Sequence, residues 1–255
     1  MLDHSKYFID LLLGMTEKEL KARYKNTLFG FLWIVVNPIL QMVVIGFIFR
    51  LFIKEPIPNY YLYLLVGLLV WNFFNLSLTK ATPSIVNERG LIKKAKFPRA
   101  VIPLSIIFSN LINTLLGFGI ILVPLLIFKT ISFVSLPGLI LGLVLLIVFT
   151  VGVSLLTSAL NVRFRDIYFF VQAALILWFY ATPIVYSIGV VPRQLIWFWR
   201  LNPLTSVVQL FQNALVSAPP PGLAMLMVNT FTICLVAICG VIIFSIESKN
   251  FDDWI

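Results

Sequence analysis

Neutral amide and aromatic side chains recur at one-turn spacing inside long apolar stretches of this sequence. Trp33, Asn37 and Gln41 follow one another in steps of four, and Asn72 and Asn75 lie three apart. Amides form hydrogen bonds and aromatic rings offer flat apolar faces, so such stripes suit a path that carries sugars. Similar stripes also join membrane helices to one another, and both interpretations stay open. The residues that we predict to line a path are Trp33, Asn37, Trp71, Phe74, Tyr168, Phe179 and Tyr180, and a further polar stripe holds Ser105, Ser109 and Asn113.

The motifs of catalysis are missing from the sequence. No Gly-Lys pair occurs, so there is no P-loop that could hold nucleotide phosphates, and neither H-E-x-x-H nor G-x-S-x-G is found. Cys234 and Cys239 are five apart, a spacing that places them on different faces of a helix, and His4 is the single histidine. We therefore predict no catalytic site, no metal site and no cofactor in this chain.

The composition excludes an ordinary soluble enzyme. Of 255 residues, 60% are hydrophobic and 11% are charged, against about 25% charged in a typical soluble domain. Because about 20 apolar residues cross a bilayer, each uncharged stretch has room for a span. Asp, Glu, Lys and Arg are absent from residues 26–49, 56–79, 100–128, 130–162, 167–192 and 201–246. The sequence predicts an all-α membrane protein with six transmembrane helices.

The longest uncharged stretch is predicted to hold one span and a re-entrant segment. Prolines 219–221 break any helix and leave residues 222–246 as the last span. The preceding residues, 203–217, are too short to cross and carry Gln209, Gln212 and Asn213. Such segments are tolerated where protein or a cavity covers them. Residues 188–218 also hold the aromatic cluster Trp197, Phe198 and Trp199, an interface anchor or an extracytoplasmic lid.

The basic residues predict the orientation. The N-terminal arm, residues 1–25, holds five of them, and the connection at residues 80–99 holds six. The alternate connections hold only Arg50, Lys54, Lys129, Arg193 and Arg200. Because basic loops stay inside, both termini and the tail at residues 247–255 are predicted to be cytoplasmic. The net charge of +9 then faces membrane lipids or a protein partner, and its division among short loops argues against nucleic acid.

The N-terminal arm is predicted to form two short helices. Phe8 and Leu12 share one face of an amphipathic interface helix that Gly14 ends, and Thr16 with Glu19 forms a capping box for the next. The arm is either a basic anchor on lipid headgroups or a gating element at the mouth of a path. The residues that would act in it are Lys18, Lys21, Arg23, Tyr24 and Lys25.

The predicted spans contain no Asp, Glu, Lys, Arg or His. Ion-coupled carriers and voltage sensors keep such residues at membrane depth. If the chain transports a solute, its energy is therefore expected to come from another subunit.

The sequence resembles the permease subunits of type 2 ABC exporters, above all the polysaccharide and O-antigen (Wzm-like) branch. The resemblance rests on short motifs that occur in order along most of the chain. They are residues 19–27 (ELKARYKNT), 32–33 (LW), 37–38 (NP), 87–94 (NERGLIKK), 96–99 (KFPR), 163–167 (RFRDI), 182–184 (TPI) and 201–204 (LNPL).

This resemblance implies a homodimer in the inner membrane that exports a lipid-linked glycan. It also implies two copies of a separate P-loop ATPase, which would bind ATP and Mg, and short re-entrant helices within residues 188–218. Residues 87–97 would form the coupling helix in a groove of the ATPase, with the arm beside it. The coupling residues would be Asn87, Glu88, Arg89, Gly90, Leu91, Ile92, Lys93, Lys94 and Phe97.

Other interpretations remain open at this point. The charges of residues 80–99 could serve only to hold that connection inside. Related type 2 permeases for capsule, teichoic acid, lipid or drugs would share much of the motif pattern. A stand-alone channel would show flux without an ATPase, and a membrane scaffold or glycan enzyme would show none.

Overall fold

Helices make up the regular structure of the described residues. The computed structural model describes residues 2–25, 30–52, 57–127, 136–192 and 194–254. Its α-helices are α1 (Leu2–Tyr24), α2 (Trp33–Phe52), α3 (Tyr60–Ala81), α4 (Ser84–Asn87), α5 (Arg89–Lys94), α6 (Val101–Ile127), α7 (Leu136–Arg163), α8 (Asp166–Ala181), α9 (Ile196–Leu201), α10 (Pro203–Val216), α11 (Leu223–Glu247) and α12 (Phe251–Trp254). Lys54, Lys129 and Arg193 lie outside the described residues.

Four helices among the described residues are long and apolar enough to cross a membrane. They are Tyr60–Ala81, Val101–Val123, Leu136–Arg163 and Leu223–Asn250. Trp33–Phe49 and Asp166–Ala181 are shorter apolar helices. At 1.5 Å per residue the 16 residues of α8 extend about 24 Å, less than the roughly 30 Å of a hydrocarbon core. The helical membrane fold is therefore confirmed, and the count of six spans stays a prediction.

The main core surrounds α3. This helix packs against α2, α6, α7 and α10, and most of its side chains are buried. Phe74 stacks on Phe149 of α7 with ring centroids 5.4 Å apart, and both rings meet Trp178 of α8 edge-on. Aromatic rings thus fill the centre of the bundle where three helices meet.

Helices α7 and α11 approach closely because glycines face each other. A Cβ atom added to Gly240 would lie 2.1 Å from the carbonyl oxygen of Gly152, and one added to Gly152 would lie 2.6 Å from Cα of Ala237. Small residues allow such contact between membrane helices. No larger side chain fits at either glycine without separating the helices.

The N-terminal arm forms one helix, and the prediction of two was wrong. Helix α1 runs through Gly14 without a break. The hydroxyl of Thr16 donates to the carbonyl of Leu12 at 2.7 Å, one turn back, instead of capping a new helix. An interior glycine costs about 1 kcal/mol. Packing outweighs that cost, since Met15 and the hydroxyl-bearing Thr16 are both buried.

A second core joins the arm to the connection after α3 and to the C-terminal segment. We call it the arm core. Its buried members include Met15 of α1, Ile85 of α4, Ile92 of α5, Phe244 of α11 and Phe251 of α12. These elements therefore lie together at one end of the bundle, with the start of α6 and the end of α7.

The segment before α11 contains the predicted short helix. Helix α10 spans Pro203–Val216, and nearly all of its side chains are buried against the bundle. Asn202 caps its N-terminus, and Ser217 ends it in the left-handed conformation with φ 56°. Its placement as a re-entrant element in a membrane stays a prediction.

Candidate functional site

A first cavity of about 360 Å³ opens between the end of α1 and helices α2, α3 and α6. Amide groups dominate its polar lining, which also includes two cations, Arg23 and Lys80. The polar and aromatic residues that line it are Arg23, Tyr24, Trp33, Asn37, Gln41, Asn72, Phe73, Asn75, Lys80, Asn110, Asn113 and Thr114. Four helices supply them, so only the tertiary fold brings this set together.

The end of α1 is attached to α6 in this cavity. The guanidinium of Arg23 donates to Oδ1 of Asn110, and the hydroxyl of Tyr24 donates to Oδ1 of Asn113 at 3.0 Å. Nδ2 of Asn110 in turn donates to Oγ of Ser77 on α3 at 3.1 Å. Burial raises the pKa of the Tyr24 phenol above its usual value. The arm is thereby held to the bundle by side-chain hydrogen bonds.

A second cavity of about 470 Å³ lies on the other side of the same amides. Gln41, Asn72 and Asn75 line both cavities, and Nδ2 of Asn72 donates to Oε1 of Gln41 at 3.0 Å. The second cavity adds aromatic rings. Trp71, Gln172, Phe179 and Tyr180 line it, and the rings of Trp71 and Phe179 meet edge-on at 5.4 Å.

The two cavities offer neutral hydrogen-bonding groups next to aromatic faces. Trp33 and Asn37, both predicted to line a path, lie on the first cavity, and Trp71, Phe179 and Tyr180 lie on the second. The neutral part of this lining can bind hydroxyl-rich solutes.

Phe74 does not take part in this lining. Its side chain is 0% exposed within the aromatic core and is absent from the lining of the three cavities described. Because its ring packs against Phe149 and Trp178, we leave it out of the candidate path.

A third cavity of about 380 Å³ lies between α1 and the α4–α5 connection. Tyr168, the remaining path candidate, lies here with Glu19, Lys80, Asn87 and Glu88. Lys80 also lines the first cavity. The third cavity therefore neighbours the first across this lysine.

The arm and the connection are joined by an ion pair. Nζ of Lys18 lies 2.8 Å from Oε1 of Glu88, with 55% and 29% of the two side chains exposed. Lys21 instead pairs with Glu17 on its own helix at 2.5 Å. This pair lowers the pKa of Glu17, through the hydrogen bond from Lys21. Lys25, at the end of the arm, is exposed.

Within residues 87–97, the predicted coupling segment, the structure has the helix α5 (Arg89–Lys94), and Asn87 is the last residue of α4. Ile92 is buried in the arm core, and Leu91 and Phe97 pack against it. The exposed residues of this segment are Asn87, Arg89, Gly90, Lys93, Lys94, Ala95 and Lys96. The segment thus presents a basic outer surface on an anchored base.

At the opposite end, Asn202 joins α8 to α10. Its Oδ1 accepts from Nε1 of Trp178 at 2.9 Å, and its Nδ2 donates to the carbonyl of Ala181 at 3.0 Å. Nearby, Nε1 of Trp199 donates to the hydroxyl of Tyr186 at 2.5 Å. These bonds fold the 188–218 connection onto the end of α8.

Sequence reasoning missed four polar or aromatic residues of the first cavity, namely Phe73, Lys80, Asn110 and Thr114. Lys80 was counted only as a loop charge, although it stands in the last turn of α3. Asn110 lies one residue from the predicted stripe of Ser109 and Asn113. A signal for Lys80 existed, because it is the first charged residue after the uncharged stretch 56–79.

The fold and these cavities define a helical membrane protein with polar interior surfaces and a basic, anchored connection. The ABC-2 type transporter family model matches residues 10–216, and the chain belongs to this family.

Relatives in two organisms agree with this assignment. The chain is 37% identical over 219 residues to an O-antigen export system permease protein RfbA of Klebsiella pneumoniae, covering 83% of each chain. A second RfbA of that organism is 39% identical over 215 residues, which is 81% of this chain and 82% of the relative. An RfbA of Myxococcus xanthus is 34% identical over 209 residues, covering 79% and 78%.

Proposed function

We propose that the chain is the permease subunit of an ATP-driven exporter that moves a lipid-linked, O-antigen-like polysaccharide across the inner membrane. The observation that carries the proposal is the 37% identity over 83% of an O-antigen export permease. The amide and aromatic lining of the two cavities supports it, because that lining suits sugars.

The proposed assembly is a homodimer of six-span subunits with both termini in the cytoplasm. Helices α2 and α8 would be the two shorter spans, and residues 188–218 would be re-entrant on the outer side. The arm core supports the orientation, because α1 and the C-terminal α12 contribute to the same cluster. Termini that lie at one end fit an even number of spans.

The proposed cargo path uses the lining of the two amide-walled cavities. Trp33, Asn37, Trp71, Phe179 and Tyr180 would contact the glycan as it passes. Tyr168, on the third cavity, would lie at the cytoplasmic entrance.

The proposed motor is a separate P-loop ATPase, present in two copies, that binds ATP and Mg. It would dock on the exposed basic surface of α5, which holds Arg89, Lys93 and Lys94. Because Ile92 ties α5 to the arm core and Lys18 ties α1 to Glu88, movement of α5 would reach the arm directly.

Charge reversal tests this coupling. Glu88→Lys and Arg89→Glu should each abolish glycan export, while the variant chain still inserts into the membrane and can be purified as a folded protein. Lys249→Glu, a charge reversal at an exposed position of the C-terminal segment, is the matched control and should retain export. Loss of insertion in the two variants would instead show that these charges serve topology.

Co-purification tests the proposal as a whole. The detergent-solubilised chain should retain a P-loop ATPase, and liposomes that contain the chain alone should show no glycan flux. Flux without an ATPase would identify a stand-alone channel and would refute the exporter proposal.

A further inference from the structure

The first cavity holds an excess of positive charge. Arg23 and Lys80 both line it and both are partly buried, and no acidic residue lines it among the residues that the structure describes. Glu19 lies on the third cavity, on the other side of Lys80. Partly buried cations are stabilised by an opposite charge. Among the described residues that line the first cavity, none supplies this negative charge.

The cavity also presents buried hydrogen-bond donors that lack an acceptor. Nε of Arg23 and Nδ2 of Asn113 are buried and unpaired, and Asn113 is only 7% exposed. The side-chain oxygens of Asn110 and Asn113 are already used by Arg23 and Tyr24. Buried donors without partners are costly. These two groups can therefore donate hydrogen bonds to an acceptor that binds in the cavity.

A phosphate ester matches both observations. Its oxygens accept hydrogen bonds and carry negative charge, and arginine forms strong charge-assisted bonds with them. Lysine adds a compact positive charge. A neutral sugar would satisfy the donors of Arg23 and Asn113 but would add no negative charge to the cavity.

The apolar part of the lining indicates where the phosphate comes from. Ile34, Leu69 and Leu76 line the cavity beside the cations, and Leu76 is 43% exposed. Helix α2 continues from the cavity with an exposed apolar face that includes Leu40 and Val44. An amphiphile can place its anionic head at Arg23 and Lys80 and its chain along α2.

We propose that this cavity is a binding site for the phosphate headgroup of a lipid, held by Arg23, Lys80 and the amide of Asn113. The lipid chain lies against α2. That this lipid is the carrier of the exported glycan rests on the proposed function, whereas the site itself does not.

Binding to the purified full-length chain in neutral maltoside detergent tests the site. The probe is decyl phosphate, followed by thermophoresis, with inorganic pyrophosphate as the headgroup alone. Decyl phosphate should bind, and Arg23→Gln, Lys80→Gln and Asn113→Asp should each weaken it tenfold or more. Lys6→Gln removes an exposed cation elsewhere on the same helix and should leave binding unchanged.

Each other outcome overturns the proposal. If all variants bind decyl phosphate equally, these residues do not form the site. If inorganic pyrophosphate binds as tightly as decyl phosphate, the site takes free phosphate rather than a lipid headgroup. Asn113→Asp keeps nearly the same side-chain shape and keeps the oxygen that accepts from Tyr24. If Arg23→Gln fails to fold, the binding of decyl phosphate by Asn113→Asp therefore still tests the site. The assay needs neither ATPase nor export, so binding without export would refute the proposed function alone.

Discussion

The side chain of Asn202 makes four hydrogen bonds that hold α8 against α10. Its Oδ1 accepts from Nε1 of Trp178 at 2.9 Å and from the backbone N–H of Leu204 at 3.1 Å. Its Nδ2 donates to the carbonyl of Ala181 at 3.0 Å and to Oγ1 of Thr182 at 2.9 Å. Asn202→Ala removes all four while creating only a small void.

The cost of Asn202→Ala follows from what it leaves unpaired. Loss of a helix N-cap costs about 1 kcal/mol, and each buried polar group left without a partner costs about 1–3 kcal/mol. The Trp178 indole and the Ala181 carbonyl are two such groups, and because both residues are only partly buried, each is expected to cost about 1–2 kcal/mol. The free energy of unfolding should fall by roughly 3–5 kcal/mol in total. At about 2–4 °C per kcal/mol for a chain of this size, the apparent Tm should drop by on the order of 10 °C.

Thermal unfolding followed by tryptophan fluorescence at a fixed scan rate measures this change. Asn250→Ala, at an exposed position, is the matched control and should shift the apparent Tm by less than about 2 °C. In a Trp178→Phe background, Asn202→Ala should cost less, because the indole N–H is already gone. A drop below about 2 °C for Asn202→Ala, or full additivity of the two changes, would refute the reasoning.

Three further changes test the packing, the arm and the path. Gly240→Val should destroy the α7–α11 contact, since a Cβ there meets a carbonyl oxygen at 2.1 Å. Size-exclusion chromatography should then show aggregation. Gly119→Val is the control, because a side chain there faces open space, and it should not aggregate. Lys18→Glu should reduce export with less than about 1 kcal/mol lost in stability, because the pair with Glu88 is partly exposed, and Glu88→Lys in the same chain should restore export. Trp33→Ala should lower glycan export more than the apparent Tm, and equal loss of both would make the ring a packing residue.

The membrane helices could be predicted because the signal is local. Long uncharged stretches cannot be anything but buried in lipid or protein, and four of them are helices of spanning length. The prediction that prolines 219–221 separate a short helix from the last span is also confirmed, since α10 ends at Val216 and α11 begins at Leu223. Proline acts on its own backbone, so its effect needs no knowledge of the fold.

The N-terminal arm shows where local signals fail. Gly14 and the Thr16–Glu19 pair resemble a helix end and a cap, yet α1 continues through them. Propensities of about 1 kcal/mol per residue are smaller than the gain from burying Met15 in the arm core. That core draws on α4, α5, α11 and α12, which are far apart in the sequence.

Helical spacing also identified polar faces without showing which faces meet. The sequence alone determined a polytopic helical protein with basic connections and neutral polar stripes, because charge, apolarity and the 3.6-residue period are properties of neighbouring residues. Only the tertiary structure decided that Gln41 meets Asn72 across 31 residues and that Arg23 meets Asn110 across 87. The tertiary structure also decided that Phe74 is buried in the core and that Lys80 lines a cavity. Such contacts depend on how whole helices pack, and that packing is set by the summed burial of many side chains rather than by any local pattern.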